Sequence, residues 1–226
     1  PMDANLITLV AANVAFVGSH FAMSHPLRAP MVKALGAGGF QAAYSVISLA
    51  ALAWVYFAFT AAPPADLPGS GEIGWIIATL ITLPAMILLA GSLIGNPALP
   101  TPRAEAQART APKGVFMVTR HPMMWGIGLW AISHMALLWS IRTMITALAI
   151  GVLALVGAKL QDAKKEVLMG DAWAQWESKT SYWPRWGKLL SVGAVPLAVG
   201  TALWLAFSWV HLWRAGIPAG VWKWLG

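Results

Sequence analysis

The stretch GVFMVTRHPMMWGIGLWAISHM, residues 114–135, decides how this chain is read. Arg120 and His121 stand against Pro122, and the run that follows opens an apolar helix carrying a second histidine, His134, near its middle. An ionisable side chain inside an apolar span is expensive and needs a partner. What surrounds this helix is therefore a question of fold, and what His134 faces is a question of function.

Outward from that stretch the chain stays apolar. Of its 226 residues, 58% are hydrophobic and 10% charged, and the mean hydropathy is +0.66. Those values exclude an ordinary soluble enzyme and indicate an integral membrane protein. Six apolar runs predict six helices: Leu6–Phe21 extended toward His25, Phe40–Ala61, Ile73–Ile94, Met123–Trp139, Thr143–Ala158 and Leu189–Leu212. Only Ser140, Ile141 and Arg142 separate the fourth from the fifth, which predicts a tight antiparallel pair. The expected fold is all-α, a polytopic membrane bundle forming one domain over residues 1–226. Asp3 and Asn5 precede the first run where a signal peptide needs a basic segment, so that run is expected to stay in the membrane.

Charge sets an orientation. Arg28 and Lys33 follow the first span. Arg103, Arg109, Lys113 and Arg120 follow the third, and Lys159, Lys164, Lys165, Lys179, Arg185 and Lys188 follow the fifth. Arg142, Arg214 and Lys223 fall on the other side. The positive-inside rule then places the three basic loops in the cytoplasm and both termini outside. The net charge of +7 gathers on one face and favours anionic lipid headgroups as partners. No nucleic-acid motif accompanies it, so no nucleic-acid partner is expected.

Ala62–Gly71 reads as a short outer loop, and Asn96–Pro112, rich in Pro and Arg, as a mobile part of the cytoplasmic face. Residues 159–188 are too polar to span and carry Trp173, Trp176, Tyr182, Trp183 and Trp186 among charges. They read as the fifth helix leaving the bilayer into a basic, aromatic segment at the interface. Trp75, Trp125, Trp139, Trp209 and Trp213 read as an aromatic belt. With no cysteine in the chain, disulfides, thiolate ligands and cysteine nucleophiles are excluded.

The five histidines sort by depth. His25, His121 and His211 fall near helix boundaries, whereas His20 and His134 lie inside spans. His121 and His134 are 13 residues apart, roughly 140° around a helix axis, so the two do not share a ligand. His134 sits about 16 Å from the cytoplasmic end of its helix at 1.5 Å per residue. Its partner must come from another helix, and His20 is the other histidine within a span. Two facing imidazoles either bond across helices or hold a haem between them. Ala12, Gly18 and Ala22 on the first helix, with Gly126, Gly128 and Ala131 on the fourth, would let a flat macrocycle approach.

GSHFAMSHPLR at 18–28, together with TRHPMMWGIGLWAISHM at 119–135, resembles the NnrU family, named for its association with bacterial nitrite and nitric oxide reduction. That family is related to 15-cis-zeta-carotene isomerase, a membrane haem b enzyme. The resemblance covers the first five expected helices. It implies haem b iron ligated by His20 and His134, and either a cis-trans isomerase acting on a polyene or a role in nitrite or nitric oxide metabolism, in a bacterial inner membrane. Where the plant isomerase carries a cysteine three residues before the second ligand, this chain has Ala131, so thiolate ligation is not available to it.

A second resemblance runs to the isoprenylcysteine and phospholipid methyltransferases. It rests on Arg120-His121-Pro122, the helical hairpin, and KKEVLMGDAWAQWESKTSYWPRW at 164–186. There an Arg-His-Pro-x-Tyr motif and a Glu-Glu pair bind S-adenosylmethionine; here the tyrosine position is Met124 and the acidic pair is Lys165 and Glu166. Arg120, His121, Glu166, Trp176 and Arg185 then either tie the fourth helix to the interfacial segment or bind a substrate or, through Arg120 and His121, a cofactor group such as a haem propionate. Three function classes follow: a haem protein acting on a hydrophobic molecule or a small redox ligand such as nitric oxide, a lipid or prenyl methyltransferase, and a non-enzymatic factor in respiratory-complex assembly.

Overall fold

The computed structural model describes residues 3–225, and among them the chain is helical with no strand. The helices are α1 (Ala4–Ser24), α2 (Arg28–Ala61), α3 (Gly71–Gly91), α4 (Ala104–Arg109), α5 (Pro122–Ala136), α6 (Ile141–Met169), α7 (Asp171–Lys179), α8 (Ala194–Ala215) and α9 (Trp222–Leu225). Two 3-10 turns, Gly114–Met117 and Trp186–Ser191, flank the polar end.

Five helices, α1, α2, α3, α6 and α8, are long and apolar enough to cross a membrane. The protein is a multi-pass membrane bundle with lipid-facing apolar surface: Val46, Leu49, Phe57, Ile73 and Leu80 are all exposed. The fourth expected span is shorter than its sequence run. α5 has 15 residues, about 22 Å at 1.5 Å each, against a hydrocarbon core of about 30 Å. It ends early because Leu137–Ser140 leave the helix to form the turn into α6, with Leu138 at φ 48. That turn is clasped by the loop before α3. Gly69 N and Ser70 N donate to Leu138 O and Leu137 O, both at 3.0 Å, and Ile141 N donates to Asp66 Oδ1 at 2.8 Å.

The five spanning helices and α5 form a row in which each touches its neighbours: α2, α1, α6, α5, α3, α8. Small residues set the spacing. A Cβ on Gly126 of α5 would lie 2.8 Å from Ala85 O of α3, and one on Gly200 of α8 would lie 2.5 Å from Ile87 Cα. Gly128 in turn rests against Leu155 of α6. The small residues of α5 are thus spent on protein packing, and Ala131 is wholly buried. Gly18 on α1 faces open space.

Three segments differ from expectation. Arg28 and Lys33 lie on α2, which begins ahead of its apolar run and is broken at Gly36, where φ 70 and ψ 170 suit glycine. Asn96–Pro112 contains α4, packed on α7. The aromatic segment after α6 is partly core: Trp173 and Trp176 are buried with Phe116, while Trp183 and Trp186 stay exposed. The polar continuation of the fifth span is as expected, since α6 runs on to Met169 and ends at Gly170, φ 49.

Candidate functional site

The segment quoted first joins two dissimilar sites, one at each end of α5. At the basic end, Pro122 occupies the first turn of α5, where its missing N–H leaves no donor unsatisfied. His121 caps the helix, and Arg120 precedes it. Both side chains converge on Asp162 of α6, which is 1% exposed. Arg120 Nε donates to its two oxygens at 3.0 and 3.1 Å, Arg120 NH2 donates to Oδ2 at 2.6 Å, and His121 Nε2 meets Oδ1 at 2.8 Å. Glu177 of α7 adds a carboxylate 3.1 Å from Arg120 NH2.

Backbone bonds lock the same corner. Arg120 N donates to Ser181 O and Arg185 N to Val118 O, each at 2.8 Å. Thr119 Oγ1 donates to Tyr182 O at 2.8 Å, as does Trp125 Nε1. The Tyr182 hydroxyl reaches Leu155 O at 2.8 Å. Trp125, expected in an interfacial belt, is therefore a core residue at 7% exposure. Burial pushes the Glu177 carboxyl up from its ordinary value of 4.5, and the neighbouring Asp162 and Glu166 add to that against the pull of Arg120. Burial likewise raises the Tyr182 phenol, helped by Asp162. This corner pins α5 to α6 and α7, as the structural reading of Arg120 and His121 expected, but through Asp162 and Glu177.

Toward the other end of α5 lies a cavity of about 570 Å³. Its walls are mostly apolar and include Met86 and Leu89 of α3, Trp130 of α5 and Trp204 and Phe207 of α8. Two histidines line it. The rings of His134 and His211 stand 6.2 Å apart. His134 Nδ1 is 2.8 Å from Trp130 O, and His211 Nδ1 is 2.8 Å from Phe207 O. A carbonyl only accepts, so each Nδ1 carries a proton, and in the neutral form of either ring Nε2 keeps its lone pair for a ligand. Arg142 lines the same cavity. One of its terminal nitrogens donates to Phe59 O and Ala62 O at 3.1 and 2.9 Å, while its buried Nε has no partner.

His20 is elsewhere. It lies on α1 near the basic end, its Nδ1 2.7 Å from Phe16 O and its ring edge-on to Tyr44 at 5.5 Å, and it does not line the cavity. The structure thus brings Arg120 and His121 together, sets His134 beside His211, and keeps His20 apart from both pairs. Among the described residues, no three His, Asp or Glu side chains group as a site for a bare metal ion.

Sequence reasoning passed over Asp162, His211 and Arg142. Asp162 had a signal, as the one acid among Lys159, Lys164 and Lys165. His211 had the spacing of an interfacial residue, and only the approach of α8 to α3 discloses what it faces.

No curated protein and no solved structure matches the chain. The family model described as NnrU protein matches residues 8–219, nearly the whole length. The chain therefore belongs to the NnrU protein family.

Proposed function

We propose that this NnrU-family protein binds haem b in the cavity between α3, α5 and α8, where His134 would hold its iron. The observation that supports it is the paired presentation of His134 and His211 on one apolar cavity, each with Nδ1 bound by a backbone carbonyl. An outer hydrogen bond of that kind fixes a ligating histidine's tautomer and raises its basicity. A porphyrin supplies four nitrogens of its own, so one or two imidazoles suffice where a bare ion would need more.

The residues fit such a group in three respects. The volume falls in the range of about 300–1,000 Å³ usual for small-molecule sites. The rings of His134 and His211, 6.2 Å apart on one cavity wall, would be the residues to hold the iron. Arg142 offers a guanidinium with a free Nε for a propionate. The sequence pattern had offered His20 as the second ligand; the geometry favours His211. Arg120 and His121 then act at a distance, holding α5 so that His134 keeps its place.

Bound haem supplies one-electron chemistry and a position for a small ligand such as nitric oxide. The chain's own part is to bind it, orient it and keep water from its faces. The apolar walls suit a hydrophobic partner such as a polyene equally well, in a bacterial inner membrane with the basic end in the cytoplasm.

Absorption spectra of protein purified from haem-replete cells test the reading. The wild type is expected to show a Soret band of six-coordinate low-spin haem. His134→Ala and His211→Ala each convert or abolish it, and His20→Ala leaves it unchanged. Conversion by His20→Ala but not by His211→Ala would restore the pairing the sequence pattern offered. A colourless wild type would end the haem reading.

A further inference from the structure

At the basic end a second cleft, of about 770 Å³, opens between the loop around Leu99–Pro102, α4 and the last turns of α6. Arg28, Arg109 and Lys165 line it, with Leu99, Leu168 and Met169 as an apolar wall. Lys165 is unusual within it. The residue is 8% exposed, yet of the three N–H groups of its ammonium one finds an acceptor, Pro97 O, at 3.4 Å. The ion pairs among the described residues join Arg120 or His121 to Asp162 or Glu177, and none includes Lys165. Lys164 and Arg28 lie near enough to repel it. Glu105 stands exposed at the rim without pairing with it.

A buried ammonium with like charges for neighbours is costly unless an anion completes the site. We propose that this cleft binds the phosphate of an anionic phospholipid headgroup, with Lys165 at its floor and Arg28 and Arg109 at its sides. Phosphate carries several acceptor oxygens and matches both the fork of arginine and the point charge of lysine. The apolar wall, and the position at the ends of α2 and α6 where headgroups lie, favour a lipid over a free ion. A lipid held there also ties α2 to α6, which touch each other only slightly in the protein itself.

Native mass spectrometry of the detergent-purified protein offered equal phosphatidylglycerol and phosphatidylcholine tests this, with inorganic phosphate as a third arm. The wild type is expected to retain phosphatidylglycerol at least tenfold over phosphatidylcholine, and millimolar phosphate should not displace it. Lys165→Gln should lose the preference. Arg109→Gln, a change at an exposed position that leaves the fold intact, should weaken it severalfold, while Lys188→Gln should leave it unchanged. Equal retention of the two lipids, or a preference that survives Arg109→Gln and Lys165→Gln together, would overturn the proposal. Displacement by phosphate alone would make the cleft a free-anion site and overturn the lipid assignment.

Discussion

The two ends of α5 use the same residue types for opposite purposes. At the basic end Arg120 turns its hydrogen bonds to Asp162 and Glu177 and His121 meets Asp162 through Nε2; His121 Nδ1 is left without a partner, but the space around the cluster is filled by Trp125, Tyr182 and Trp176. At the other end His134 and His211 keep a lone pair each, Arg142 keeps a free Nε, and between them lies unfilled volume. A charge-paired cluster without space rigidifies a fold; polar groups left free around a cavity suit a ligand. The Arg-His-Pro motif ties α5 to α6 and α7, and on the function proposed above the histidines at the other end would hold the ligand.

The largest effect that could break this contrast is at Asp162. Asp162→Ala leaves Arg120 with Glu177 alone and the buried His121 Nε2 without its partner, a change that costs about 3–5 kcal/mol. Thermal unfolding in detergent should drop accordingly. Arg120→Ala should also destabilise, and combining it with Asp162→Ala should cost much less than the sum of the two. Arg214→Ala, at an exposed residue near the end of α8, should do almost nothing. Additive losses would mean that the cluster is not a unit.

A smaller loss is expected from the packing that sets α5 between the two sites. Gly126→Ala places a methyl against Ala85 O and Leu89 N, backbone atoms that cannot swing aside, and overpacking of this kind costs about 1–3 kcal/mol. Gly187→Ala, in open space, is the matched control. Because Gly126 and His134 share a helix, the Gly126 variant should also weaken ligand retention; full stability with a disturbed ligand would show that the cavity tolerates no shift of α5.

Removing a cavity histidine should matter less for stability than either. His211 is exposed and bonds Phe207 O of its own helix, so His211→Ala should shift unfolding of ligand-free protein by within about 0.5 kcal/mol while altering any bound ligand. A large loss of stability without ligand would turn the histidine pair into a structural contact and erase the contrast with Asp162.

Much of the fold was legible because membrane spans are written in long apolar runs. All five spanning helices overlap predicted ones, and the hairpin between α5 and α6 follows from three intervening residues. The length of α5 was not legible, since its end is set by a turn clasped from the loop before α3. Of the site, His134 could be singled out because an imidazole in an apolar run is conspicuous. Its neighbour could not, because depth along a helix says nothing about which helices adjoin: α1 lies beyond α6 from α5, whereas α8 packs on the same α3 as α5 does. Nor could the small residues of α5 be assigned, since a glycine that admits a ligand and a glycine that admits a carbonyl oxygen look alike in sequence.

The smallest expected effect concerns Glu177, at the rim of the charge-paired corner. Its carboxyl is held above the ordinary value of 4.5 in the folded protein by burial, with Asp162 and Glu166 adding repulsion that Arg120 only partly offsets. Between 4.5 and the raised value the folded chain retains a proton that the unfolded chain has released. Stability contributed by Glu177 is therefore fullest on the acid side and declines as pH rises through that window. Glu177→Gln keeps the shape and removes the titration, so its unfolding midpoint should fall less than that of the wild type as pH is raised from below 4.5 through the window. Asp162 titrates in both proteins and cancels in the comparison. Parallel profiles for the two proteins would mean that water reaches Glu177 freely, and that the charge-paired corner ends at Asp162.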